Sequence, residues 1–154
     1  MVGVVSLSLG LQGAQVAAND GATLTATVEH DFAPWDSPAF ALWISADKCG
    51  GQTNSWIYLR IWQEPEKSKR LFVFPDKTAK IGAVIYYPNL KSRQSINWEK
   101  QPRQELKGSV RFTRVSEKEP VLGEFDFISD QNVHLQGKFE AQWVGGRVPM
   151  LGGN

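Results

Sequence analysis

The chain has 154 residues, a length that suits one domain with a hydrophobic core of its own. Lys and Arg number 17 against 16 for Asp and Glu, so the net charge of +1 provides no general field for attracting nucleic acid or an anionic membrane. The one cysteine, Cys49, excludes an internal disulfide and a zinc site made of several cysteines.

Residues 1–18 contain no charged side chain and run from an apolar stretch into small residues. This order predicts a signal peptide, which is atypical because no Lys or Arg stands near its start. The apolar stretch is too short for a transmembrane helix. A periplasmic or secreted protein follows from that prediction. An N-terminal strand is the alternative, because apolar residues also alternate at Val5, Leu7, Leu9 and Leu11.

Residues 19–144 are predicted to form one β domain, which begins with two strands of different character. Apolar side chains alternate with polar and β-branched ones from Leu24 to His30, a pattern typical of a half-buried strand. Residues 39–45 form a near-continuous apolar run. Its length and flanking turn residues favour a strand buried on both faces, although a run alone does not exclude a helix. Residues 46–55 are predicted to form a loop.

The middle of the chain predicts a hairpin and one further strand. Residues 56–63 and 71–75 have strand character and flank a polar connector that contains Pro65. We therefore expect these two segments to pair with each other. Residues 81–87 form the next predicted strand, which ends at Pro88.

The segment between residues 89 and 107 is too long for an ordinary loop. A short strand over residues 95–98 or a functional loop accounts for its first part. Pro102 and Gly108 are placed like the ends of a helix and predict a short one over residues 102–107. Basic and aromatic residues mix here as they do in single-stranded nucleic-acid binders, but a solvated loop is the simpler interpretation. We expect no nucleic-acid partner.

The clearest strand signal is the last one. Apolar or small residues occupy every second position from Val133 to Trp143, with polar residues between them. Together with residues 110–115 and 121–128, this strand predicts an antiparallel three-strand meander at the C-terminal end of the domain. The glycine-rich tail, residues 145–154, is predicted to be flexible.

The predicted fold is all-β: an antiparallel β-sandwich or squat barrel of about eight strands, because runs of strands with almost no helix admit few other layer arrangements. No transmembrane segment is predicted, and the sequence leaves the oligomeric state open. Alternation along the strands assigns the following residues to the inner face: Ile57, Leu59, Ile61, Phe125, Phe127, Leu135, Phe139 and Trp143.

One predicted strand carries an unusual outer surface. Its aliphatic residues occupy one face, so Trp56, Tyr58, Arg60 and Trp62 lie together on the opposite face. Flat aromatic rings beside a guanidinium can stack on sugar rings or anchor another protein. We therefore predict a ligand-binding surface at these residues, for a glycan or a protein partner. The alternative is that the aromatic side chains pack beneath a neighbouring loop.

Two other functions stay open from the sequence. A barrel of this size can enclose a small apolar ligand. A hydrolase could use His30, Asp31 and Asp36, since a carboxylate beside a histidine can orient it as a general base. The chain lacks a Gly-rich phosphate loop, a Gly-x-Ser-x-Gly elbow and a histidine pair with metal-ligand spacing. We therefore predict a non-enzymatic, exported binding domain with no catalytic residue, metal or cofactor.

Overall fold

The computed structural model describes residues 23–32, 38–62, 65, 70–77, 81–90 and 100–144. Across these residues the chain forms eight strands and no helix, which confirms the predicted all-β class. The strands are β1 (Thr23–Phe32), β2 (Pro38–Ser45), β3 (Trp56–Ile61), β4 (Leu71–Phe74), β5 (Gly82–Tyr87), β6 (Gln104–Arg114), β7 (Val121–Ser129) and β8 (His134–Trp143). No helix that is long and apolar enough to cross a membrane occurs in this part of the chain.

Three predicted features lie outside the described residues. They are the signal peptide or strand at the start of the chain, the short strand over residues 95–98, and the tail over residues 145–154. Their predictions therefore stay predictions.

Seven of the strands close into a barrel. Hydrogen-bonded neighbours run in the order β6, β5, β3, β2, β1, β8 and β7, and β7 pairs again with β6. β4 pairs with β6 outside this ring, beyond the point where β6 pairs with β5. Closure removes the free sheet edges that an open sheet leaves. Of the two predicted architectures, the structure is the barrel.

One pair of strands departs from the predicted antiparallel arrangement. β1 and β8 run parallel, with Leu24 opposite Phe139 and Val28 opposite Trp143. The other pairings are antiparallel. A closed ring with an odd number of strands cannot alternate in direction all the way round. One neighbouring pair must therefore run parallel, and here it is the pair that closes the barrel.

The predicted C-terminal meander is confirmed, because β6, β7 and β8 pair in sequence with antiparallel registers. The predicted helix over residues 102–107 is wrong. β6 begins at Gln104, and its first side chains alternate between buried and exposed as a strand requires. Gly108 does not end a helix but lies within β6 at a φ of 135°, where a Cβ atom would stand 2.0 Å from the Asp126 carbonyl oxygen. It allows close approach of two backbones.

The predicted hairpin is also wrong, since its two strands do not pair with each other. β3 pairs with β5 along its whole length, and β4 pairs with β6. β4 has four residues whereas β5 has six, so β5 offers β3 the longer ladder. β3 ends at Ile61 and β4 begins at Leu71, a longer separation than the tight turns that join most hairpins span.

Side chains from all eight strands fill the interior of the barrel as one hydrophobic cluster. The predicted inner-face residues all belong to it, with Trp143 packed against it and partly buried. Phenylalanine rings meet edge to face within this core, with ring centres 5.9 Å apart for Phe72 and Phe112 and 6.1 Å apart for Phe112 and Phe139. The interior is therefore a packed core at the positions where a ligand-binding barrel needs a chamber.

Candidate functional site

β3 places the four residues of the predicted surface on the outside of the barrel. Its aliphatic side chains are fully buried in the core, so Trp56, Tyr58 and Arg60 face outward. Trp62, one residue beyond the strand, lies on the same side, because the guanidinium carbon of Arg60 is 6.0 Å from its ring centre. We call these four residues the platform. Each of them is partly buried.

Two platform residues pack against a second hydrophobic cluster, which lies outside the barrel. Its buried members are Trp43 of β2, Tyr87 of β5 and Leu90, and Trp56 and Tyr58 pack against them. The ring centre of Trp43 is 4.5 Å from that of Tyr58 and 5.9 Å from that of Tyr87. We call this group the outer cluster. It packs beside one end of the platform, through side chains of the neighbouring strands β2 and β5 and through Leu90.

The apolar run of β2 is the sequence signal for this cluster. The apolar run of β2 was predicted to be buried on both faces, and residues 39–44 are indeed all buried. Two-sided burial means that the outward residues of β2 also have packing partners. Cross-strand register identifies them, since Trp43 stands opposite Tyr58, and Trp56 stands opposite Tyr87.

Arg60 forms an ion pair that reaches across β2. Its Nε lies 2.5 Å from Oδ2 of Asp31 on β1, and β2 separates these two strands. On β2, Ala41 stands opposite Arg60 and Ala39 stands opposite Asp31, and both alanines are buried. Because these side chains are small, the guanidinium can extend over them to the carboxylate. The predicted partners of Asp31 were His30 and Asp36, and its contact with Arg60 was not predicted.

The outward residues of β1, β2, β3 and β5 include three charged groups: Glu29, Asp31 and Arg60. Burial raises the pKa of Tyr58, Arg60 opposes this rise, and Asp31 and Glu29 add to it. The Tyr58 hydroxyl therefore stays protonated at neutral pH and keeps a proton to donate. The two carboxylates and one guanidinium give this face no excess positive charge.

Tyr87 of β5 is the member of the outer cluster that interacts with a second charged residue. Burial raises the pKa of its phenol, while a hydrogen bond from Arg103 and the positive charge of that residue oppose the rise. Arg103 thus donates a hydrogen bond to Tyr87, a member of the outer cluster against which Trp56 and Tyr58 pack.

His30 and Asp31 do not combine into a catalytic pair. Consecutive residues of β1 face opposite sides, so the His30 ring stacks on Trp143 with ring centres 4.6 Å apart, whereas Asp31 faces outward to Arg60. The third candidate, Asp36, lies outside the described residues. Within the described ranges, no group of three or more His, Cys, Asp or Glu side chains is placed to hold a metal ion.

A separate cleft of about 280 Å³ opens where β4 and β5 diverge along β6. Apolar residues of these strands line it together with Asp76, Arg103 and Glu105. Its volume is just below the range of roughly 300–1,000 Å³ that is usual for ligand pockets. None of the platform residues lines it.

The platform thus combines flat ring faces, a phenol hydroxyl and a partly exposed ion pair on one side of β3. Ring faces stack on other flat or apolar surfaces, and the ion pair can exchange hydrogen bonds with hydroxyl groups. Comparison of the chain with protein-family models, with curated proteins and with solved structures gives no match. The chemistry of this face is the basis for the function proposed below.

Proposed function

We propose that the protein is a non-enzymatic, exported binding domain whose ligand surface is the platform, and that its ligand is an extended polysaccharide chain. The observation that carries this proposal is the order of groups along β3: Trp56, Tyr58, Arg60 and Trp62. From the first ring to the last, this line spans roughly 20 Å at the usual rise per residue. A span of this length suits several linked sugar units better than one compact metabolite.

Aromatic side chains stand on both sides of a charged one along the platform, and a sugar chain likewise presents apolar ring faces and polar hydroxyl groups in turn. A sugar ring has apolar faces, which stack on aromatic rings, and a rim of hydroxyl groups, which need donors and acceptors. Tyr58 and Trp62 supply ring faces on either side of the pair formed by Arg60 and Asp31, whose side chains are 34% and 27% exposed. Each sugar unit therefore meets both kinds of group.

A protein partner fits this face less well. Protein interfaces place apolar residues at the centre and charged residues at the rim. Here the charged pair stands between two aromatic residues of one strand. Burying it beneath a protein would remove both charges from water, which costs more than their attraction returns unless the partner pairs with them.

The packing beneath the platform also favours a binding role. Tyr58 rests on Trp43, and Trp56 packs on the same outer cluster. Rings that are already fixed in place lose little conformational freedom when a ligand binds. The outer cluster thus preorganises one end of the surface, while Trp62 at the other end is held by Arg60 and by the hydrogen bond from its backbone N–H to the Ile81 carbonyl oxygen.

The test is native gel electrophoresis of the full chain through gels that contain soluble polysaccharides, with Trp62→Ala as the variant. Trp62 lies outside the outer cluster, so its removal should leave the melting temperature close to that of the wild type. Loss of one stacking contact should weaken binding by about 1–3 kcal/mol, the loss measured for bases stacked on aromatic side chains. Trp62→Phe should restore most of it.

Val73→Ala is the matched control. Val73 is 56% exposed on β4, which is not part of the platform, so its removal tests for non-specific adhesion of apolar side chains. The proposal is overturned if the wild type is not retarded by any polysaccharide, or if Val73→Ala weakens retardation as much as Trp62→Ala does. Unfolding of Trp62→Ala, with no ligand found for the wild type, would return the platform to a purely structural role.

A further inference from the structure

We infer that Asp31 sets the charge class of the ligand: by pairing with Arg60 it makes the platform accept a neutral polysaccharide and reject an acidic one. This inference rests on the proposed function, and it adds a residue from another strand to the specificity of the surface. Without Asp31, Arg60 would be a cation between aromatic rings. That arrangement attracts carboxylates and phosphates.

The geometry shows that Asp31 lies against one nitrogen of the guanidinium, its Nε. The Nε of Arg60 lies 2.5 Å from Oδ2 of Asp31, and the guanidinium carbon lies 6.0 Å from the Trp62 ring centre. An acidic sugar that approaches Arg60 therefore meets the negative charge of a carboxylate already beside the guanidinium. Glu29, two residues earlier on the same outward face of β1, adds a second negative charge that repels such a ligand.

The floor beneath the pair makes this contact possible. Ala39 and Ala41 are the outward residues of β2 between Asp31 and Arg60, and a longer side chain at either position would stand in the path of the guanidinium. Because both members are partly exposed, the pair contributes little to stability. Its removal should therefore change ligand choice and leave the fold intact.

The test compares the wild type with Asp31→Asn, which removes the negative charge and preserves the size of the side chain. The probes are two pairs of soluble polysaccharides that share a backbone and differ in charge: hydroxyethyl cellulose with carboxymethyl cellulose, and highly methyl-esterified polygalacturonate with polygalacturonate. Affinities come from the retardation of the full chain in native gels at low and at high salt. The wild type should prefer the neutral member of a pair. Asp31→Asn should bind the acidic member about five- to tenfold more tightly than the wild type at low salt, the gain expected from one new charge-assisted contact.

Glu29→Gln is the matched control, because it changes the net charge by the same amount and leaves the pair between Asp31 and Arg60 in place. The gain in affinity should be clearly smaller in Glu29→Gln than in Asp31→Asn, should vanish in the double variant Asp31→Asn with Arg60→Gln, and should shrink at high salt. Circular dichroism checks that each variant is folded. If Asp31→Asn does not fold, the same measurements are made with Asp31→Ser.

The outcomes separate this inference from the proposed function. If the wild type binds a neutral polysaccharide and Asp31→Asn gains nothing for its acidic partner, the inference fails and the proposed function stands. An equal gain in Glu29→Gln also overturns it, because net charge alone would then explain the selectivity. If neither the wild type nor Asp31→Asn binds a member of either pair, the inference fails. If no polysaccharide of any kind retards the wild type, the proposed function fails with it.

Discussion

Replacement of Trp43 by Ala tests whether the outer cluster is a structural element in its own right. Trp43 is 6% exposed although it lies on the outside of the barrel, and its ring touches the rings of Tyr58 and Tyr87. The substitution removes the middle ring of the cluster. It leaves the barrel core, which lies on the other face of β2, unchanged.

The expected loss follows from burial and from these ring contacts. Truncation of a buried Trp to Ala costs about 3–5 kcal/mol in protein cores. Each aromatic contact accounts for about 0.5–1.5 kcal/mol beyond burial. Because the cluster lies on the surface of the barrel, its neighbours and water can partly fill the gap. We therefore expect the lower end of the range, about 3 kcal/mol.

Urea unfolding followed by far-UV circular dichroism measures this loss without depending on tryptophan fluorescence. Trp43→Phe keeps one ring and should recover more than half of the lost free energy of unfolding. Val73→Ala, at a site that is 56% exposed, serves as the surface comparison and should stay within about 0.5 kcal/mol of the wild type. A loss below about 1 kcal/mol for Trp43→Ala would refute the reasoning, since a buried ring at a packed site costs more than that.

Three further predictions concern other parts of the barrel. Burial raises the pKa of the Cys49 thiol to about 12, so iodoacetamide at neutral pH should label it only in denaturant; rapid labelling of the native protein would contradict this. Burial also raises the pKa of Tyr58 and of Tyr87, so the unfolded chain releases these protons first. The free energy of unfolding should therefore fall as pH rises above about 10, and a flat series of urea midpoints would be inconsistent with it. Gly108→Ala should destabilise the protein by about 1–3 kcal/mol, because its Cβ would meet the Asp126 carbonyl oxygen; an unchanged urea midpoint would speak against that contact.

The period of two residues carried most of the fold prediction. It assigned residues such as Leu59 and Phe125 to the inner face correctly, because the face of a strand residue depends only on its position along the chain. Pairing does not follow from that period. β1 and β8 are far apart in the sequence, and neither strand contains a pattern that identifies its pairing partner. The parallel pairing that closes the barrel could therefore not be predicted. The helix predicted to end at Gly108 was wrong for a related reason. The backbone conformation of Gly108 is set by close contact with another strand, which the local sequence does not show.

The candidate site divides in the same way. The sequence predicted one shared face for Trp56, Tyr58, Arg60 and Trp62, because they alternate along β3 and the residue that follows it. The groups that decide what this face can bind come from other strands. The support from Trp43 and the neutralising carboxylate of Asp31 depend on the register of β2 and β1, which only the assembled barrel shows.

The parallel pairing of β1 with β8 also determines when the barrel can close during folding. The strand that contains Asp31 emerges early in synthesis, but one of its edges has to wait for β8, which is made last among the described strands. Contacts between such distant segments slow folding, and an unpaired edge invites association with other chains in the meantime. Until β8 has been made, that edge of β1 lacks its partner strand, so association through this edge is the expected hazard for an incomplete chain.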